Sequence, residues 1–365
     1  MSNFSKSLTK LLSPRQYSTL PLSPNKRTLP KSPSCSGIET RVTNLRKGRS
    51  HQDSTEHLQN KVHTRNTKDS QVIGVKRLLG SQLQVPSNIP LINSPLTKEL
   101  SKKGVEGIAS SNILGRGRFG TVIKGLYKES PIAVKIIAKG QKKSDSFHKE
   151  ENAVKLTHPN IARVIRAVYS EGNYDMILME YCNGANLLQK INDVTFKLDI
   201  RRRVRYALDV AYALQHCHRN KIVHLDVKPN NIVIDSDDHC KLCDFGSSRV
   251  METEGGVKAP WPGTPAFAAP EVLQGLCVTC KVDVYSFGIT MWQMLSREPP
   301  YFGEDIHSVI YKAVTQNHRP RRIKLTDPEE IKYMKIYENC WVNDYRSRPS
   351  IDDVILSLLE ITKKG

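Results

Sequence analysis

The stretch IVHLDVKPNNIVIDSDDHCKLCDFG, residues 222–246, decides how this chain is read. Three polar groups stand in it at telling separations: Asp226, Asn231 five residues on, and Asp244 thirteen beyond that. A lone Asp or Asn is more often a turn residue than a ligand, but one chemistry ties these three together. Asp226 suits the task of accepting or orienting the proton of an attacking hydroxyl. Asn231 and Asp244 offer oxygen to a hard, octahedral cation such as magnesium, which proteins hold through one or two carboxylates plus phosphate oxygens. Between them IVI and CKL are short apolar runs with β-branched residues, the pattern of a tight hairpin that presents its ends to a cleft. Phe245 and Gly246 complete a DFG triplet.

Working outward, ILGRGRFGTVIKG (residues 113–125) places Gly115, Gly117 and Gly120 in G-x-G-x-x-G-x-V, closed by Val122. Alone this pattern could be a dinucleotide fingerprint, but that motif runs into a helix, whereas alternating residues flank this one on both sides. Glycines without Cβ let backbone amides come close to phosphates. Lys135 follows in IAVK, and SFHKEENAVKL (residues 146–156) reads as a helix with Phe147, Val154 and Leu156 as its apolar positions. Lys135 needs an anionic partner, either Glu150 or its neighbour Glu151. YDMILMEYCNGANL (residues 174–187) reads as a strand leading into a hinge, and VRYALDVAYALQHCH (residues 204–218) has helical periodicity.

H-x-D-x-K-x-x-N followed by DFG, with the glycine-rich hairpin and the IAVK lysine, resembles the eukaryotic protein kinase family over about residues 108–361. The resemblance implies an α+β, two-lobed fold, with a β-rich N-lobe at 106–182 and a mostly helical C-lobe at 183–365. It implies ATP and Mg2+ as cofactors, with Asn231 and Asp244 as metal ligands. Asp226, Lys228, Lys135, Glu150 and Thr264 are the catalytic set, Glu150 being the choice because F-x-x-E matches the family's helix. Leu114, the three glycines, Val122, Ala133, Lys135, Met179, Glu180, Cys182 and Cys243 line the nucleotide pocket. Met179 takes the gatekeeper position, bulky but flexible, and Glu180 and Cys182 offer backbone hydrogen bonds to adenine. Lys228 with Thr264 is the serine/threonine signature. Asp283 in KVDVYSFGITMWQML is expected to bind amides of the catalytic loop, and Arg348 to pair with Glu271, both buried.

His224 is followed by Leu225, where most of the family carries an arginine that bridges to a phosphorylated activation loop. HLDVKPNN, SFGITMWQM and the CW…RPS ending are similar to the Mos kinases, which implies a MAP kinase kinase as substrate and a role in oocyte meiosis. A cysteine before DFG and a long N-terminal stretch depart from that pattern. The alternatives are another MAP kinase kinase kinase-like enzyme, or a kinase-fold scaffold without activity; Lys135, Asp226, Asn231 and Asp244 all being present argues against the scaffold.

The rest of the composition bounds rather than decides. The chain has 365 residues and a formal net charge of +19. Residues 1–105 hold 18 Lys and Arg against 5 Asp and Glu, so most of the basic excess belongs there. This segment is rich in Ser, Pro and Asn and poor in apolar periodicity, and is expected to be a disordered tail. Its Ser-Pro pairs, above all Ser23 in PLSPNK, suit proline-directed kinases, and VIGVKRLLG (residues 72–80) is its apolar patch. A solvated tail is a simpler reading than nucleic-acid or lipid binding. No apolar run is long enough to span a membrane, the start MSNF carries no leader or acylation signal, and a cytoplasmic location is expected. The pairs Cys240-x-x-Cys243 and Cys277-x-x-Cys280 have zinc-like spacing, but their contexts, a strand into DFG and a segment after the APE motif, argue against one shared site.

Overall fold

The computed structural model describes residues 95–107, 112–117, 120–139, 145–251, 256–258 and 263–363. The expected tail up to residue 94, with Ser23 and the 72–80 patch, lies outside them, as does Thr253 in the activation segment.

The N-lobe is an antiparallel sheet of β1 (Val105–Glu106), β2 (Ile113–Gly117), β3 (Gly120–Tyr127), β4 (Ser130–Ala138), β5 (Val164–Val168) and β6 (Tyr174–Glu180). The order is β1-β3-β4-β6-β5, and β2 pairs with the other end of β3. Side chains alternate faces along a strand, and β4 shows what that does here. Ile132, Val134 and Ile136 point into a small core with Ile123, Val168, Met176 and Leu178. Lys135 and Ile137 therefore project from the opposite face, where Ile137 joins Phe147 and Ile177 in the larger core. One residue of register would have sent Lys135 to the wrong side.

Two elements fall inside the stretch that composition assigns to a tail. Helix α1 (Pro95–Lys102) and strand β1 pack on the sheet, with Leu100 and Val105 at 0% exposure in the small core. Glu99 accepts a hydrogen bond from the backbone of Glu171 at 3.1 Å. A second correction concerns the Glu150 helix. It spans Asp145–Asn152 as α2 and then tightens into a 3₁₀ turn over Ala153–Lys155. Three residues per turn instead of 3.6 bring Ala153 inward beside Leu156 and leave Val154, expected inside, 36% exposed.

The C-lobe is helical: α3 (Leu187–Asn192), α4 (Ile200–Arg219), α5 (Pro270–Leu273), α6 (Lys281–Ser296), α7 (Ile306–Thr315), α8 (Pro328–Cys340) and α9 (Ile351–Thr362). Side chains cap several of the starts: Asp199 accepts from the amide of Arg202, Asp327 from those of Glu329 and Glu330, and Ser350 forms a capping box with Asp353. Helix α6 is buried from Val282 to Leu295 and forms the lobe's axis. It crosses α8 so closely that a Cβ on Gly288 would lie 2.8 Å from that of Cys340. The small strands β7 (Ile222–Val223) with β10 (Arg249–Val250), and β8 (Ile232–Ile234) with β9 (Cys240–Leu242), carry the loops described next.

Candidate active site

The loop between β7 and β8 is shaped from beneath by α6. Asp283, fully buried, accepts the backbone N–H of His224 at 2.9 Å and of Leu225 at 2.8 Å, one on each oxygen. His218, which sequence reasoning passed over, adds its Nε2 to the same carboxylate at 2.9 Å. These bonds hold Leu225 at φ 66°, a left-handed conformation that a leucine adopts only when its surroundings impose it. The turn aims Asp226 into the cleft. Its Oδ2 accepts from Lys228 Nζ at 2.7 Å and from Asn231 Nδ2 at 2.9 Å, and its Oδ1 from the backbone of Thr264 at 3.2 Å. Lys228 also donates to Thr264 Oγ1 at 2.6 Å, which closes the set. Asn231 spends its amide nitrogen on Asp226, so its oxygen is the atom left for a cation.

The β8–β9 hairpin brings Asp244 to the same cleft. Backbone bonds join the two sets: Cys243 N–H donates to Asn231 O at 2.9 Å, and His224 Nε2 meets Cys243 O at 3.1 Å. Asp244 has φ 65°, and its Oδ1 accepts from Lys135 Nζ at 2.6 Å. Lys135 also donates to Glu150, which α2 presents on the same face as Phe147. Glu151 points elsewhere and accepts from Tyr169 OH at 2.7 Å. Between the two neighbours, then, the structure brings Glu150 to the lysine. Burial works against the ammonium of Lys135, but the charges of Asp244 and Glu150 outweigh it and hold its pKa above the ordinary value. For Asp244 burial is likewise overcome, and Lys135 holds the carboxyl down at about 2. Burial pushes Glu150 upward, with Lys135 opposing.

The other pocket residues line up around this centre. Val122 faces Lys135 across β3–β4, and Ala133 faces Met179 across β4–β6. Gly120 has φ 143°, and a Cβ there would lie 2.1 Å from Ile136 O, so glycine is required. Among the described residues nothing lies within 4 Å of a Cβ built on Gly115 or Gly117, and Leu114 is 47% exposed. Cys182 is half-buried, its thiol pushed up to about 11 mainly by burial, and burial pushes the Cys243 thiol up further. The donor chemistry fits a nucleotide with a divalent cation: a glycine cradle open to phosphates, a cation in Lys135, and hard oxygens on Asp244 and Asn231.

Ser247 and Ser248, directly after the DFG triplet, are at 0% and 1% exposure, and Ser248 donates to Lys149 O at 3.2 Å. The cysteine pairs lie on separate elements, β9 with its following residue and the short strand Cys277–Val278 with the start of α6. Among the described residues no cluster of three or more His, Cys, Asp or Glu is arranged to hold a metal ion by protein ligands alone.

Comparison with known proteins gives the same outline. Residues 108–358 match the family described as protein kinase domain. The chain is 39% identical over 268 residues to the serine/threonine-protein kinase mos of Patiria pectinifera, covering 70% of this chain and 75% of that protein. It is 37% identical over 261 residues to the serine/threonine-protein kinase mos of Xenopus laevis, 66% of this chain and 72% of that one. Against the proto-oncogene serine/threonine-protein kinase mos of Sus scrofa the identity is 36% over 270 residues, 67% and 78% of the two lengths.

Proposed function

This chain belongs to the protein kinase family as a serine/threonine kinase of Mos type, and from that membership we propose that its substrate is a MAP kinase kinase, phosphorylated with ATP and magnesium. The observation that carries the site assignment is the closed set of Asp226, Lys228, Asn231 and Thr264.

In this reading Asp244 and Asn231 would hold the cation, which would supply neutralising charge to the phosphates of ATP as it gives up its γ-phosphoryl group. The protein's part is positioning and charge. Asp226 orients the incoming hydroxyl. Lys228, bonded to both Asp226 and Thr264, places positive charge beside it. Lys135, kept in place by Glu150, holds the α- and β-phosphates. Val122 and Ala133 enclose the adenine, Glu180 and Cys182 present backbone groups to its edge, and Met179 limits the space behind it. A cytoplasmic setting in oocyte meiosis completes the proposal.

Leu225 bears on control. Its side chain is 6% exposed and packed in the large core, so this position offers no cation to a loop phosphate. New charge-assisted bonds to arginine are how such phosphates order a segment. The domain is therefore active as made, with regulation through synthesis, turnover and the Ser23 region. Purified protein is offered a MAP kinase kinase and a generic basic protein, before and after phosphatase treatment, with Asp226→Ala as control. The expected result is preferred phosphorylation of the kinase on serine or threonine, lost in Asp226→Ala and changed less than about twofold by phosphatase. Equal use of both substrates sinks the MAP kinase kinase reading. A drop of about tenfold, near 1.4 kcal/mol, on phosphatase treatment sinks the regulatory one.

A further inference from the structure

Lys241 lies on β9, three residues before Asp244, with its side chain 15% exposed. Its Nζ donates to Glu180 Oε1 at 2.7 Å. Glu180 is the last residue of β6, where the N-lobe sheet ends and the hinge begins. The other oxygen of the same carboxylate, Oε2, accepts the backbone N–H of Arg163 at 3.2 Å, just ahead of β5. Arg163 in turn takes the Glu180 N–H on its carbonyl at 2.8 Å. Strand β9 itself is bonded to the segment before Arg163: Leu242 N–H donates to Asn160 O at 2.8 Å, and Ala162 N–H to Leu242 O at 2.9 Å. One carboxylate at the mouth of the hinge is thus held from both lobes. The next hinge residue is held as well, with the Lys124 ammonium of β3 standing 4.3 Å from the centre of the Tyr181 ring.

We propose that Lys241 is a positioning residue for adenine, acting through Glu180 to fix the hinge carbonyl that accepts the amino group of the base. The inference rests on the reading that Glu180 and Cys182 present their backbones to the nucleotide. Glu180 has no side-chain role toward the base; its two bonds set the height and tilt of its own peptide. An ammonium is suited to this because the pair is only partly exposed, so less of its attraction is lost to solvent than on an open surface. The strand that carries Lys241 continues into Cys243 and Asp244. The same short element therefore sets the position of the adenine edge and of the cation's carboxylate, and couples one end of the nucleotide to the other.

The test compares ATP with purine riboside triphosphate, which lacks the 6-amino group, as phosphoryl donors to one fixed protein substrate. Wild type, Lys241→Met and Lys241→Arg are assayed as full-length chains, with thermal melts alongside. The expected result is a KM for ATP raised about fivefold in Lys241→Met, with kcat within about twofold and the KM for the purine analogue little changed. The preference for ATP shrinks accordingly, and Lys241→Arg restores it. A preference kept intact in Lys241→Met overturns the proposal and leaves the hinge reading standing. Loss of kcat with both nucleotides alike also overturns it, since that is what a general weakening of the fold would give. No preference for ATP in wild type removes the hinge reading and the proposal with it. If Lys241→Met does not fold, Lys241→Gln, uncharged but polar, is put through the same comparison.

Discussion

Two buried ion clusters in this molecule look alike in composition and differ in how complete they are. Around Arg348 every donor is used. Nη1 and Nη2 form a fork on Glu271 at 2.7 and 2.8 Å. The remaining N–H groups donate to the carbonyls of Val342, Lys281 and Asn343 at 2.8, 3.0 and 3.2 Å. The guanidinium also stands 4.9 Å from the Tyr285 ring centre. One positive charge meets one negative charge, and nothing is left over. Around Lys135 one positive charge meets two carboxylates, Glu150 and Asp244, and Asp244 keeps 30% of its side chain exposed. That cluster has a negative charge to spare, on the side open to the cleft. A finished cluster can only hold the fold, whereas an unfinished one has work left for a ligand.

The largest expected effect lies on the unfinished side. Asp244→Asn keeps size and hydrogen bonding but removes the spare charge, and Lys135→Met removes its counterweight. Each should lower phosphoryl transfer by roughly a thousandfold or more; the melting temperature stays near that of wild type in Asp244→Asn and falls in Lys135→Met, which strands the buried Glu150 carboxylate. Transfer by Asp244→Asn at the wild-type rate would show that this carboxylate holds no cation. The finished side should respond the other way round. Arg348→Met strands the Glu271 carboxylate in the interior, at about 3–5 kcal/mol, seen as a melting temperature lowered by roughly 10 °C. Replacing both partners by apolar residues should return most of it. An unshifted melt in Arg348→Met would mean that the fork holds nothing.

The smallest effect comes from a half-buried base that belongs to neither cluster. His158 stacks on His216, ring centres 5.1 Å apart, and its Nδ1 accepts the Asn160 N–H at 3.1 Å. Burial first, then the neighbouring His216, lowers its pKa from 6.5 to about 4. The unfolded chain thus takes up the proton before the folded one does. Stability should fall as pH drops from about 6.5 to about 4 and level off below that, by on the order of 1 kcal/mol once solvent screening of this half-exposed ring is allowed for. Urea melts at pH 7 and pH 5 on wild type and His158→Gln test this. The same slope in both would clear His158 of the effect.

What was legible in the sequence was what one mechanism fixes at short range. Asp226, Lys228 and Asn231 lie within six residues, and Asp244 follows at the end of a hairpin that can close only one way. Long-range pairs such as Arg348 with Glu271, 77 residues apart, could be named only through the family resemblance. Helix α1 was missed because it buries Leu100 while its other described positions are exposed or intermediate, too little for a period to emerge. Val154 was misplaced because a switch from α to 3₁₀ winding shifts the inward position by one residue, and nothing local announces that switch. Lys241 escaped notice, since its partner is 61 residues away on a strand of the other lobe.

Leu100 has a consequence for how long the nucleotide-binding half survives intact. The small core behind the sheet consists of Leu100, Val105 and seven residues of β3 to β6, far fewer than the interior beneath them. Thin cores open first in sub-global fluctuations, and emptying one leucine socket costs about 2–5 kcal/mol. The plug comes from outside residues 108–358, the span shared with the whole family. A nick, a bulky modification or a competing partner at residues 95–104 would pull a cork rather than trim an edge. The sheet that holds Lys135 would then come apart sooner, with every residue of the active site still chemically in place.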